Sequence, residues 1–297
     1  MRFEEYQNEA AKTDIVAQND PHVIVVPLLG LAGEVGTLLT EYKKYLRDGS
    51  AHQRFKDQVA EDLGDLLWYV SNVAGKFDLR LEDVARINLE KIADRWPSGG
   101  DGDAYRLLDE QFPEHEQFPR SFQIEFGEVG TKKGILVTMS RDGNPVGDAL
   151  SDNAPDDDGY RFHDVFHLSY LAVLGWSPIM RSLMKIKRKS DPKADDVEDG
   201  ARAKIIEELV SQLVFTYARA HNFLEGINRL DYHLLKTIQS LVADREVRIR
   251  SLAEWEMAIL QGYEAWRNVR NHRGGIVKVD MLQRKIAFIG SGRGVSK

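Results

Sequence analysis

The sequence predicts a mainly α-helical protein: a four-helix unit, a small β meander, and a second helical domain. Three observations carry that expectation. Apolar residues recur at helical spacing through most of residues 2–97 and again through 160–272. Breaks at Pro21, Pro27, Asp48-Gly49 and Pro97 punctuate the first stretch, which reads as four helices with short joints. Between the two regions, residues 121–140 change texture, with β-type residues bounded by glycine turns.

Residues 2–19 read as an amphipathic helix with Phe3, Tyr6, Ala10 and Val16 roughly on one side. Pro27 suits the first turn of a second helix, from Leu28 to about Arg47. A third helix spans about Phe55 to Lys76, and a fourth about Glu82 to Trp96, stopped by Pro97 and Gly99-Gly100. These four define a first domain over residues 1–97. Residues 98–120 hold Pro, Gly and acids without period and read as a linker. Residues 121–297 then form a C-terminal α+β domain with a helical core at 160–272. Its strands are Ser121–Val129 and Gly134–Ser140, with turns at Gly130 and at residues 141–144. Its helices fall near 161–174, 178–188, 201–224, 231–242 and 251–272. Two closing strands, Ile276–Asp280 and Lys285–Ile289, are expected to join the meander. Residues 61–69 and 207–215 also echo each other, each after a basic run, which suggests a degenerate internal copy. Against that, any two amphipathic helices look alike.

Composition excludes several classes. The chain has 297 residues, 42% hydrophobic and 29% charged, the balance of a globular protein. No apolar run reaches the length of a membrane span, and Met1–Glu5 has no signal-peptide anatomy. Cysteine is absent, which removes disulfides and thiolate metal sites and fits a cytoplasmic location. A net charge of −7 argues against non-specific nucleic-acid binding, so neither nucleic acid nor membrane is expected as a partner. An anionic substrate would need local cations or a bridging metal.

Two stretches, Gly30–Thr37 and Ala60–Tyr69, put carboxylates among residues that ought to be buried. At about 100° per residue, Asp62 and Asp65 share a helix face, as do Glu61 and Asp65. Glu34 and Glu41, seven apart, also line up. If the two helices pack face to face, three or four carboxylates converge. At an effective dielectric near 20, each bare pair about 4 Å apart costs on the order of 4 kcal/mol. Bound protons or a divalent cation would relieve that cost.

On these residues the chain resembles the MazG-like, all-α nucleoside triphosphate pyrophosphohydrolases. The resembling pieces are Gly30-Leu31-Ala32-Gly33-Glu34-Val35-Gly36, Lys43-Lys44, Asp62–Tyr69, and Asn88-Leu89-Glu90-Lys91 with Arg95, within residues 28–97. The resemblance implies cleavage of a nucleoside triphosphate between its α- and β-phosphates, with magnesium, or manganese in its place. It carries the metal ligands onto Glu34, Asp62 and Asp65. Two positions depart from the family pattern. Thr37 stands where a carboxylate is usual, and Asp62 is one methylene shorter than the usual glutamate. Glu41 and Glu61 are near enough to compensate, and either can serve as the proton acceptor. Lys44, Asn88, Lys91 and Arg95 would hold the phosphates. Such units commonly form homodimers or higher oligomers, because a few short helices bury too little apolar surface alone.

Two rival readings start from other residues. Loss of a ligand at Thr37 fits a non-catalytic nucleotide-sensing or interaction module. Alternatively, a metal-dependent hydrolase could work from a second site at His163 and His167, four apart with Asp164 between them. Glu207 and Glu208, or Glu198 and Asp199, would complete it. The histidines lack the intervening glutamate of a metalloprotease, and two satisfied core histidines would read the same way. The stretch from Tyr160 to about His272 also resembles a C-terminal domain fused to some MazG-like units. Trp68, Trp176, Trp255 and Trp266 read as core residues, with base stacking a further option for Trp68 or Tyr69.

Overall fold

The computed structural model describes residues 1–15, 23–95, 105–132, 134–151 and 157–290. The chain divides into two compact units, Met1–Ala93 and Asp94–Lys297.

The first unit holds α1 (Phe3–Ala11), α2 (Val25–Asp48), α3 (Phe55–Lys76) and α4 (Leu81–Arg95). Val16, expected on the first helix, lies outside the described residues. α2 starts before Pro27, which sits in the first turn where its missing N–H costs nothing. α2 and α3 form an antiparallel hairpin whose register is fixed at both ends. Near one end, a Cβ added to Gly30 would lie 2.2 Å from the Tyr69 ring. At the other, the Tyr45 and Phe55 rings stack 4.3 Å apart.

α1 lies on α3. Trp68 Nε1 donates to Thr13 Oγ1 at 2.8 Å, and Lys76 pairs with Asp14. Gln7 clamps the turn into α4, donating to the Leu79 carbonyl and accepting from the Leu81 N–H, both at 2.9 Å. Beyond that clamp α4 makes at most marginal contact with the other three helices. The unit's interior is thin. Pro27, Ala74 and Leu81 are its buried apolar residues among those described, while Leu29, Leu39, Leu46, Leu63 and Leu67 stay exposed.

The second unit is built on one antiparallel sheet of order β3-β2-β1-β4-β5. Its strands are β1 (Ser121–Thr131), β2 (Gly134–Arg141), β3 (Asn144–Pro145), β4 (Gly274–Asp280) and β5 (Lys285–Gly290). The closing strands do join the meander, with Phe122 opposite Val279 and Ile124 opposite Val277. β1 runs past Gly130 to Thr131, so its turn comes later than the glycine suggested. Asp142 and Gly143, at φ 52° and 78°, make the tight turn into β3.

Two helices cover this sheet, α5 (Asp164–Leu174) and α9 (Leu252–His272), and α6 (Pro178–Leu183), α7 (Ala201–Arg219) and α8 (Tyr232–Leu241) pack against them. Every residue of α5 is buried, because the helix packs against α9 as well as β4 and β5. Gly262 permits the α5–α9 approach, since a Cβ there would sit 2.5 Å from Ser169 Oγ. α7 stops earlier than its apolar pattern suggested, where Asn222 and Phe223 turn to positive φ. The echo between residues 61–69 and 207–215 corresponds to α3 and α7, helices set in different surroundings.

The stretch read as linker is packed from Tyr105 onward. Leu107 and Phe118 belong to the second unit's core. The fully buried Asp109 carboxylate accepts from the Phe118 N–H at 2.8 Å, Arg120 at 2.6 Å and Arg181 at 3.1 Å. Its apolar residues are spaced irregularly, so periodicity could not reveal it. Nearby, buried Arg188 pairs with Asp199 and Glu246, each at 2.7 Å. No helix among the described residues is long and apolar enough to cross a membrane.

Candidate functional site

Both helices of the hairpin rise about 1.5 Å per residue, so levels can be counted from the Gly30–Tyr69 contact. Glu34 stands level with Asp65, and Thr37 with Asp62. At about 100° per residue, Glu34 and Glu41 share the Gly30 face, while Asp62 and Asp65 share the Tyr69 face. Those faces meet. Glu34 is half-buried, Asp65 is exposed and Asp62 is only 3% exposed.

Asp62 Oδ2 is buried and has no hydrogen-bond partner among the described residues, a situation that ordinarily costs about 1–3 kcal/mol or more. Glu34, Asp62 and Asp65 do not bring three ligand atoms within 4.8 Å of one another. Magnesium does not require that. It commonly takes one or two carboxylates and completes its octahedron with water and phosphate. A hard-oxygen donor set with one unsatisfied buried oxygen fits such a cation. Thr37 turns its hydroxyl back to the Gly33 carbonyl at 3.4 Å, within its own helix.

Two other expected residues engage each other. Glu41 is buried and accepts from Lys44 Nζ, while His52 Nε2 lies 3.1 Å from its second oxygen. Lys44, with His52 behind it, holds the Glu41 carboxyl below its ordinary range despite burial. The structure therefore ties Glu41 and Lys44 to each other. Glu61 is exposed and accepts a neutral amide bond from Gln58 at 3.2 Å. Asn88 and Lys91 lie on an exposed face of α4, and the Arg95 side chain is outside the described residues.

Two residues near the carboxylates escaped the sequence reading. Tyr6 on α1 has its phenol pushed up by burial and by the charge of Asp65. Asn72 lies two turns along the Asp65 face, buried, with an unpartnered Oδ1. Its spacing from Asp65 was a usable signal. That of Tyr6 was not, because α1 is distant in sequence.

In the second unit the histidines do meet a carboxylate. His167 Nε2 lies 3.5 Å and His163 Nε2 3.8 Å from Glu208 Oε1. On the far side of each ring, His167 Nδ1 is 3.0 Å from Glu207 Oε1, and His163 Nδ1 is 3.1 Å from the Tyr160 carbonyl. Glu207 is fully buried and also accepts from Ser177 Oγ at 2.6 Å and the Ile179 N–H at 2.9 Å. The Tyr160 ring stacks flat on His163, 4.6 Å away.

Burial alone would push the His167 imidazole down, but Glu207 and Glu208 outweigh it and hold it at about 10. Burial would raise the Glu208 carboxyl, but His163 and His167 hold it well below its ordinary range. Among the described residues, His163, His167 and Glu208 are the group whose ligand atoms all lie within 4.8 Å. Asp164 is buried but outside that group, and Glu207 is spent on His167 Nδ1 and its own clamps. Asp199 is engaged with Arg188, and Glu198 accepts from the Glu246 N–H at 3.1 Å, so neither completes the cluster.

Comparison with known proteins agrees with the division into units. Residues 28–99 match the family model of the MazG nucleotide pyrophosphohydrolase domain, and residues 103–291 that of the MazG C-terminal domain. The chain is similar to the Gene 37 protein of Mycobacterium phage L5, 39% identical over 80 residues, covering 25% of this chain and 70% of that protein. No solved structure matches. The helical hairpin with its facing acids and the sheet-backed unit that follows it are thus two known domains in sequence, and the chain belongs to the MazG family.

Proposed function

We propose that the protein hydrolyses nucleoside triphosphates to monophosphate and pyrophosphate with magnesium, manganese being able to replace it. The observation that carries this reading is the buried Asp62 Oδ2, unpartnered among the described residues, one turn from the level that Glu34 and Asp65 share. Glu34, Asp62 and Asp65 hold the cation. When bound, it polarises phosphoryl oxygens, offsets charge on the departing pyrophosphate and lowers the pKa of water. Glu61 accepts the proton from the attacking water, because among the described residues it carries no ion pair that protonation would break. Glu41 instead fixes Lys44 and His52 across the end of the hairpin. Asn88, Lys91 and Arg95 hold the phosphate tail from one face of α4.

The exposed leucines of the first unit support a further element, a second copy of the chain covering them in a homodimer or larger assembly. Sedimentation as a monomer at micromolar concentration would overturn that element. A cytoplasmic location accords with a cysteine-free chain that works on nucleotides.

The test is a panel of nucleoside triphosphates incubated with the full chain and magnesium or manganese, scored for monophosphate and pyrophosphate in equal amounts. One observation favours a second reading. Thr37 offers no carboxylate and bonds its own helix, as a nucleotide-sensing module could tolerate. Tight binding of a triphosphate without turnover, across the same panel, would favour that module.

A further inference from the structure

We propose that His163, His167 and Glu208 form a second metal centre, one that takes a zinc-class divalent cation in preference to magnesium. The spacing fits the ion. Ligands about 2.1 Å from a tetrahedral metal lie about 3.4 Å apart. The Nε2–Oε1 separations here are 3.5 and 3.8 Å, and the three ligand atoms all lie within 4.8 Å of one another.

The orientation fits as well. Each ring meets its Nδ1 partner on the far side, Glu207 for His167 and the Tyr160 carbonyl for His163. Such contacts fix an imidazole with Nε2 turned toward a metal and raise its basicity. Glu207 is itself held by Ser177 Oγ and the Ile179 N–H, so the support is rigid before any ion arrives. His167 Nε2 is fully buried and makes no hydrogen bond of good geometry, although Glu208 lies near.

Two imidazoles and one carboxylate select zinc, iron, nickel or copper over magnesium, which prefers an all-oxygen shell. Three protein donors leave a fourth position open. Glu208, 47% exposed on its side chain, puts that position toward solvent, where a water or another oxygen ligand completes the tetrahedron. The proposal uses no residue of the first unit and stands whether or not that unit hydrolyses nucleotides.

The full chain, stripped with a chelator and held in excess magnesium, is titrated with zinc and, separately, with cobalt(II). The expected result is one zinc per chain and the strong visible absorption of four-coordinate cobalt. Glu208→Gln and His163→Gln should each weaken zinc binding at least tenfold, while Asp62→Asn should leave it unchanged. Glu208 is partly exposed, so its variant keeps the test decisive if the buried His163 variant fails to fold. No zinc uptake by the wild type would overturn the proposal. So would a weak, six-coordinate cobalt spectrum, or undiminished affinity in Glu208→Gln.

Discussion

Gly30 on α2 meets Tyr69 on α3 so closely that a Cβ at Gly30 would lie 2.2 Å from the tyrosine ring. This contact puts Glu34 and Asp65 at one level, one turn further along the hairpin. Alanine is favoured over glycine in a helix by about 1 kcal/mol, but overpacking costs about 1–3 kcal/mol. Trp68, edge-on to Tyr69 with centroids 4.9 Å apart, limits how far the ring can swing away. Gly30→Ala is therefore expected to lower the melting temperature, and Tyr69→Ala to restore part of the loss. A double-mutant cycle measures that coupling; independent effects would mean that the helices are not in this register.

Asp62 carries a buried oxygen with nothing to satisfy it, and that oxygen separates a metal site from a structural one. Asp62→Asn keeps the shape and removes the charge. Turnover should fall at least a hundredfold, while melting in metal-free buffer holds steady or rises. Magnesium at a hundred times its dissociation constant stabilises a folded protein by about 2.7 kcal/mol. That magnesium-dependent rise should appear in the wild type and vanish in the variant. Asp65→Ala is expected to behave likewise, and full activity in it would remove Asp65 from the site.

Glu41 is expected to matter for stability more than for rate. Lys44 and His52 hold its folded-state carboxyl below the ordinary value of 4.5. Its contribution is thus complete above that value and is lost as pH falls through the lower folded-state value. Glu41→Gln should melt earlier than the wild type at neutral pH, with the gap closing in acid. Loss of turnover with unchanged melting would instead restore Glu41 as the proton acceptor.

Removing the charge of Glu207 tests the second metal centre through its support. Glu207→Gln leaves His163, His167 and Glu208 in place but weakens the hold on His167 Nδ1. Zinc affinity should fall about 10–100-fold, the usual effect of losing such a partner. An unchanged affinity would show that Glu207 serves the fold alone.

Asp109 tests where the second domain begins. It is fully buried between Arg181 and Arg120 and also takes the Phe118 N–H. Deleting one partner of a buried ion pair costs about 3–5 kcal/mol, so Asp109→Ala should strongly destabilise the second unit. A variant as stable as the wild type would return this stretch to the role of linker.

The helices of both units were legible because each carries an apolar stripe, buried or not, or is apolar throughout, and α3 spans the expected residues. Residues 105–120 were not, because side chain-to-backbone bonds such as Asp109 to Phe118 hold them and leave no period. Asp62 and Asp65 were legible as a short-range pattern on one face. The capture of Glu41 by His52 reaches across the end of the hairpin, and nothing in the local spacing announces it. His163 and His167 were visible at a separation of four, but the division between Glu207 and Glu208 was not. Adjacent helical residues point about 100° apart, so Glu207 meets Nδ1 of the His167 imidazole and Glu208 meets Nε2.

The most direct measurement compares wild-type protein with Asp62→Asn, each given one triphosphate and magnesium, following nucleotide and phosphate products over time. The account predicts monophosphate and pyrophosphate in equal amounts from the wild type, none without the metal, and almost none from the variant. Diphosphate and orthophosphate as products, or equal rates from both proteins, would contradict it.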